Sequence, residues 1–449
     1  MKRRTFLSGC FPALIRARSG SAADRPNVLW VLGDDLGPQL GCYGYPLVRT
    51  PNMDRLAQQG VRFTRAHTTG PVCSASRSGF NTGLYQTSIG CHNHRSHRKD
   101  GYRLPEGARL ITERLRERGY FTANVLEFAE GVRGTGKTDF NFTFKKPFDG
   151  THWNQRPPGQ PFFAQVNFQA PHKGPAFAEA RKQKELVDPA KAPLPPYYPD
   201  HPVVRNEVAN YLDAVNLLDR QIGVLFEKLE QDKLLDNTVV FLFGDNGRCL
   251  LRSKQWLYDP GTHVPLLVRW PGVLKPGMVR EDPVVALDIT ATSLACAGIP
   301  LPEYFHGRPL FGGQARPREF VVTARDRCDM TVDRIRAVRD RRFAYIRNFM
   351  PERPYTQWNQ YIERSYPTLA VLQRLHAEGK LNAVQELFMQ PSKPPVEFYD
   401  TQSDPHEVNN LASAPEHQKR LAQFSARLDR WLEETRDLGG VPETEAERA

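Results

Sequence analysis

Two apolar runs of strand length each end in a glycine followed by acidic or amide residues, and this repeated ending constrains the chain more than any other feature. Asn27-Val-Leu-Trp-Val-Leu32 leads into Gly33-Asp34-Asp35, and Asn237 to Phe243 leads into Gly244-Asp245-Asn246. A continuous apolar run bounded by turn residues predicts a strand covered on both faces, the habit of parallel sheets in α/β proteins. Ligands of such sheets collect beyond the carboxyl ends of the strands. Three carboxylates and an amide oxygen at two strand ends are hard donors, suited to Ca²⁺ with Mg²⁺ as the alternative, and poorly suited to a soft metal. Taken singly, either pair is also what a turn or a helix cap requires.

The rest of the chain supplies the covering layers. Pro161 to Phe168 predicts a second strand, followed by Gln169-Ala170-Pro171-His172, and Leu266 to Trp270 a further one. Thr50-Pro51-Asn52 opens a short helix closed by Gly60, Pro105 to Gly119 is an amphipathic helix, and Asp288 begins another. Arg205 to about Leu234 spaces Val208, Tyr211, Leu212, Val215, Leu218 and Ile222 along one helical face, after a proline-rich surface connection from Pro189 to Pro202. From about Pro317 charge density rises, and Ile335 to Phe349 alternates as two short antiparallel strands with one wet face. Glu416 to about Thr435 is a final amphipathic helix. The expected architecture is α/β: a large central, mostly parallel sheet flanked by helices over residues 24–316, then a smaller C-terminal α+β domain with an antiparallel sheet over 317–449.

Charge and cysteine content narrow the function. The 449-residue chain carries a formal charge of +11, but the basic residues are scattered, which excludes a nucleic-acid-binding stripe. Lys2, Arg3, Arg4, Arg16 and Arg18 supply five of those charges within residues 1–23, a segment that resembles a twin-arginine export signal and so implies a periplasmic or extracellular protein, a plain basic tail on a cytoplasmic protein being the other reading. No apolar run reaches the ~20 residues of a membrane span. Seven cysteines are too few and too odd in number for a disulfide framework, which leaves room for one special thiol.

That thiol is Cys73, in Pro71-Val-Cys-Ser-Ala-Ser-Arg-Ser-Gly-Phe-Asn-Thr-Gly83. Small residues between Cys73 and Arg77 let the backbone turn sharply and let an anion approach main-chain N–H groups at a helix start. The Cys-x-Ala-x-Arg pattern followed by Thr82-Gly83 resembles the signature of the type I sulfatases of the alkaline phosphatase superfamily. In that family a maturation enzyme oxidises the cysteine to formylglycine, and Asp34, Asp35, Asp245 and Asn246 match its metal ligands alongside residue 73. The resemblance implies a formylglycine hydrate that attacks sulfur, a divalent cation acting as Lewis acid, and Arg77, Lys137 and Lys254 neutralising sulfate oxygens, with His172 giving a proton to the departing group. Glu397-Phe398-Tyr399-Asp400 through Asp404 to Asn410 is similar to the family's closing motif, so the resemblance runs through nearly the whole chain after residue 23.

One departure stands out. The family places a histidine two positions after the lysine of its Gly-Lys pair, and Gly136-Lys137 is followed there by Asp139. Asp139, or a histidine from His92-Asn93-His94-Arg95-Ser96-His97, could take its place. His92, His94 and Arg95 are candidate anion-binding residues, a zinc site and a solvated polar loop being the other readings of that cluster. Within the family the chain looks similar to heparan N-sulfatase-like enzymes and to bacterial polysaccharide sulfatases, which implies a sulfated carbohydrate as substrate. A phosphodiesterase or phosphonate hydrolase of the same superfamily, and a sulfated-glycan binding protein without catalysis, are the rival expectations.

Overall fold

The apolar run Asn27–Gly33 forms strand β1, buried along its whole length, and a sheet of eight strands is built outward from it. The computed structural model describes residues 25–448, so the expected export signal over 1–23 lies outside the described residues. The strands that follow are β2 (Val61–His67), β3 (Phe121–Val125), a two-stranded ribbon of β4 (Glu127–Ala129) and β5 (Val132–Arg133), β6 (Phe162–Phe168), β7 (Thr238–Gly244), β8 (His263–Arg269), β9 (Met278–Arg280) and β10 (Val284–Val285). The order across the sheet is β10-β2-β8-β7-β1-β6-β3, with β9 also beside β2. β1 runs parallel to both β6 and β7, and its register sets Gly33 opposite Phe168 and Gly244. Three strands therefore end level, which brings the residues after them to one place. β8 alone is reversed against its neighbours β2 and β7, so the sheet is mostly parallel, as expected.

Alternate side chains of β1 feed opposite cores, the two-residue period of a strand buried on both faces. Leu29 and Val31 join the layer that includes Val208, Tyr211, Leu212 and Leu218, while Val28, Trp30 and Leu32 join Phe80, Ile111 and Ile289. The helices concerned are α1 (Pro51–Gln59), α2 (Cys73–Thr82), α3 (Ile111–Glu117), α4 (Pro175–Ala180), α5 (Pro202–Gln231), the single turn α6 (Asp259–Thr262) and α7 (Leu287–Cys296). Trp30 meets Phe80, Phe163 and Phe243 edge-on at 5.8, 5.0 and 5.6 Å, and its indole N–H donates to Ser293 Oγ at 2.9 Å.

Beyond these lies a separate four-stranded antiparallel sheet, β11 (Val321–Arg325), β12 (Ile335–Arg339), β13 (Phe343–Asn348) and β14 (Val396–Asp400), in that order. Helices α8 (Gln360–Ser365), α9 (Pro367–Ala377), α10 (Ala383–Glu386) and α11 (Gln418–Glu434) belong to the same stretch. Phe424, Leu428 and Trp431 of α11 cover one face of the sheet.

Three expectations need correction. The second face of this sheet is not wet: Ile335, Ala337, Ala344 and Ile346 pack into the main core, and the arginines of β12 are buried in ion pairs, Arg336 with Asp326 and Asp437, Arg339 with Glu407. The helix expected over 105–119 shrinks to Ile111–Glu117, because Gly107 takes a positive φ of 84° in a turn and the Glu113 carboxylate accepts the Leu110 N–H. The stretch before α5 is not merely a surface connection, since Tyr197 and Tyr198 are buried, and α5 starts at Pro202 because the His201 ring accepts the Val203 N–H. Among the described residues no helix is long and apolar enough to cross a membrane.

Candidate active site

The level ends of β1 and β7 place Asp34, Asp35 and Asp245 in one buried pocket with Cys73, the first residue of α2. Asp35 turns at a φ of 64°, and its N–H donates to Asp245 Oδ1 at 2.9 Å, while the Asp34 N–H donates to Phe168 O at 3.1 Å. Asp34, Asp35, Cys73 and Asp245 each offer a ligand atom, all within 4.8 Å of one another and all on buried residues. Asn246 donates through Nδ2 to Asp35 Oδ1 at 2.7 Å and to Gly247 O at 2.8 Å, and its buried Oδ1 has no partner among the described residues. A buried acceptor left unpaired costs about 1–3 kcal/mol. Three acidic groups and an orphaned amide oxygen make a donor set that fits a hard divalent cation.

Cys73 is the first residue of α2, a helix in which every side chain is buried. Its Sγ lies 3.8 Å from Asp35 Oδ1. Burial pushes the thiol well above its ordinary range, outweighing the pull of Lys137 and Lys254. An unmodified thiol there is protonated near neutral pH and a poor nucleophile.

One helical turn on, Arg77 faces the same way. Nε donates to Asp245 Oδ2 at 2.8 Å, Nη1 to Asn167 Oδ1 at 2.7 Å and Nη2 to Asp34 Oδ1 at 3.4 Å. Asn167, next to the last residue of β6, donates in turn to Asn124 Oδ1 of β3 at 3.1 Å. Sequence reasoning missed this support. Its signal was an amide side chain inside a strand that is otherwise largely apolar.

Two lysines close the pocket. Lys137 Nζ lies 2.8 and 3.0 Å from the Asp34 carboxylate, and Lys254 Nζ 2.8 and 2.9 Å from that of Asp35. Lys254 is placed by the loop after β7, where the Gln255 N–H donates to Pro71 O at 2.9 Å and so joins this loop to the segment before Cys73. Burial alone would raise both aspartates, yet Lys137 and Arg77 hold Asp34 well below the carboxylate range and Lys254 holds Asp35 below it. Asp245 goes the other way, lifted to about 7 by burial and by the neighbouring Asp34 charge. His172 follows β6; its Nδ1 lies 2.8 Å from Lys173 O, leaving Nε2 toward the site at 3.6 Å from Asp35 Oδ2. Burial lowers its pKa.

The remaining candidates divide. Asp139, at a φ of 52°, accepts from Arg98 at 2.7 Å and lies 3.9 Å from Lys137 Nζ, so it borders the lysine's side of the pocket. His94 is held by Asp329, Nδ1 to Oδ1 at 2.9 Å, and Asp329 also accepts from Gln255 at 2.9 Å. His92 is buried near Asp326, with Nδ1 unpartnered among the described residues. His97 sits between Asp100 and Gly90 O and stacks on Tyr102. The histidines thus have separate surroundings rather than a shared ligand site. Arg95 is exposed, and its N–H donates to Ser74 Oγ, the residue beside Cys73, at 2.9 Å.

Carboxylates from the ends of β1 and β7 thus meet two lysines and an arginine in one buried pocket. The family model described as Sulfatase matches residues 26–299, and one described as N-sulphoglucosamine sulphohydrolase, C-terminal, matches 247–368. The chain belongs to the sulfatase family and is a sulfuric ester hydrolase. It is 33% identical to an ulvan-active sulfatase of Formosa agariphila, over 94% of this chain and 77% of that one. It is 27% identical to human N-sulphoglucosamine sulphohydrolase, over 93% and 92% respectively. Among solved structures, a 2-O GAG sulfatase superposes with a TM-score of 0.65 at 20% identity, covering 94% of this chain and 95% of that one, which speaks to the fold.

Proposed function

We propose that the protein removes sulfate from a sulfated carbohydrate, with Cys73 converted to formylglycine by a maturation enzyme and a divalent cation, Ca²⁺ or Mg²⁺, held by Asp34, Asp35, Asp245, Asn246 and residue 73. The observation that carries this reading is the meeting of ligand atoms from Asp34, Asp35, Cys73 and Asp245 within 4.8 Å of one another, with the Asn246 side-chain oxygen unpaired among the described residues. A bound cation would supply Lewis acidity toward a sulfate oxygen, and formylglycine a hydroxyl nucleophile where the buried thiol is inert.

The chain's own residues do the rest. Arg77 spans Asp245, Asp34 and Asn167, fixing the acidic side chains and the first turn of α2 that carries residue 73. Lys137 and Lys254, each on one aspartate, flank the position a sulfuryl group would take and offset its charge. His172 has one ring nitrogen turned to the Lys173 carbonyl, so the other is the nitrogen available to pass a proton to a departing oxygen or nitrogen. Asp139, with Arg98 and Lys137, takes the place of the expected histidine, and Arg95, exposed and bonded through its N–H to Ser74 beside residue 73, is a candidate for an anionic substrate. The carbohydrate class follows the relatives, one active on ulvan and one a sulphohydrolase of N-sulphoglucosamine. Leader-directed export of the chain belongs to the same reading.

The test is mass spectrometry of the Cys73 peptide from protein produced with a maturation enzyme, alongside sulfate release from ulvan and heparan oligosaccharides. Formylglycine at residue 73 and release that is lost in Cys73→Ala support the proposal. Faster turnover of an aryl phosphodiester than of any sulfate would replace it with a phosphodiesterase, and bound but uncleaved oligosaccharide with a glycan-binding protein.

A further inference from the structure

Asp329 lies in the turn between β11 and β12, far in sequence from the residues that mark the pocket, yet it joins the two loops that flank Cys73. Its Oδ1 is 2.9 Å from His94 Nδ1, and its Oδ2 accepts from Gln255 Nε2 at 2.9 Å and from Asn359 Nδ2 at 3.4 Å. His94 precedes Arg95, whose N–H donates to Ser74 Oγ at 2.9 Å, on one side of residue 73. Gln255 follows Lys254, and its N–H donates to Pro71 O at 2.9 Å, on the other side. A single carboxylate thus ties both ends of the segment that carries residue 73 to the loop that holds Lys254 Nζ at 2.8 Å from Asp35.

The backbone at these ties is strained. Arg95, Gln255 and Asp329 take positive φ values of 55°, 78° and 51°, a conformation that is costly for residues with a Cβ and persists where surrounding contacts over-determine it. Those contacts are present. The Arg327 N–H donates to Asn93 Oδ1 at 3.0 Å, its carbonyl accepts the His94 N–H at 2.8 Å, and its guanidinium donates to Asp329 O at 2.9 Å while pairing with Glu443. Asn359 Nδ2 also reaches Gln255 Oε1 at 3.2 Å. Burial would raise the pKa of Asp329, but the His94 hydrogen bond holds it well below the carboxylate range, so the group stays ionised and accepts hydrogen bonds only. We infer that Asp329 is a positioning residue for sulfate transfer, acting through Gln255 on Lys254 and through His94 and Arg95 on the segment around residue 73. The inference rests on the sulfatase reading above.

Two measurements on Asp329→Ala and the milder Asp329→Asn, which keeps the shape and one acceptor oxygen, test it together. Amide hydrogen exchange followed by mass spectrometry should show peptides containing Arg95 and Gln255 exchanging about tenfold or more faster in Asp329→Ala, with peptides of β1 and β7 unchanged. In the matured enzyme, kcat/KM for 4-nitrophenyl sulfate should fall about tenfold or more in Asp329→Ala and less in Asp329→Asn. Combined with Lys254→Met, Asp329→Ala should cost clearly less than the product of the two separate losses, because a lysine that is gone cannot be misplaced. Losses that multiply in full, unchanged exchange at Arg95 and Gln255, or exchange raised evenly over the whole chain would each overturn the positioning role. If the matured protein without substitutions releases no sulfate from any ester, the sulfatase reading falls and the proposal with it, whereas normal release with unchanged exchange overturns the proposal alone.

Discussion

Replacing Arg77 by methionine isolates the charge balance of the pocket. In chelator the carboxylates are balanced by side chains alone, and Asp34 would still keep Lys137 at 2.8 Å. Asp245 is then the group left without a cation. In the intact protein burial and Asp34 lift Asp245 to about 7, against the opposing pull of Arg77 and Lys137, and without Arg77 it must rise further. A carboxyl whose folded pKa exceeds its unfolded one loses stability as pH climbs between the two. For the intact protein that loss ends near pH 7, whereas for the variant it continues. The gap between the two proteins should therefore widen by about 1.4 kcal/mol per pH unit above 7, up to the about 3–5 kcal/mol that stranding one partner of a buried pair costs. From pH 7 to 9 this amounts to about 3 kcal/mol, or roughly 3 °C in midpoint at the usual unfolding entropy per residue. Urea titrations at pH 6, 7, 8 and 9 in chelator, followed by tryptophan fluorescence, give the measurement. A gap that stays constant across that range would refute the reasoning.

Other perturbations probe other parts of the structure. Asp245→Asn should weaken calcium binding about tenfold or more by removing a charged ligand, read by metal content after dialysis, and unchanged content would remove the ligand assignment. His306 accepts the Tyr85 N–H through Nδ1 at 3.0 Å, and burial with nearby Arg318 lowers it to about 4. Its depressed pKa makes stability fall as pH drops from about 6.5 to 4, by up to about 3 kcal/mol, so His306→Gln should flatten the acid limb of a stability profile. Trp30→Ala should cost about 3–5 kcal/mol, and a midpoint shift near zero in urea would contradict the aromatic packing around it.

Much of the pocket was legible because its parts lie where a short-range rule points. Asp34, Asp35, Asp245 and Asn246 each follow an apolar run by two or three residues, and such runs reveal both strand and strand end. Arg77 follows Cys73 by one helical turn. What stayed hidden depends on contacts between distant segments. Asn167 and Asn124 sit in strands whose adjacency only the sheet order reveals, and nothing local tells His94 that Asp329, 235 residues away, will take up its ring. The alternation in β12 read as a wet face because arginine is usually solvated, whereas Arg336 and Arg339 find buried carboxylates from elsewhere in the chain.

Cys73 is 3% exposed at the head of a helix with no accessible side chain. Under the proposed conversion to formylglycine, a maturation enzyme would have to grip the peptide around residue 73, and the finished fold leaves none there to grip. The proposed conversion therefore puts oxidation ahead of packing: a chain that folded first would lock an inert thiol inside, out of the oxidising enzyme's reach until it unfolded.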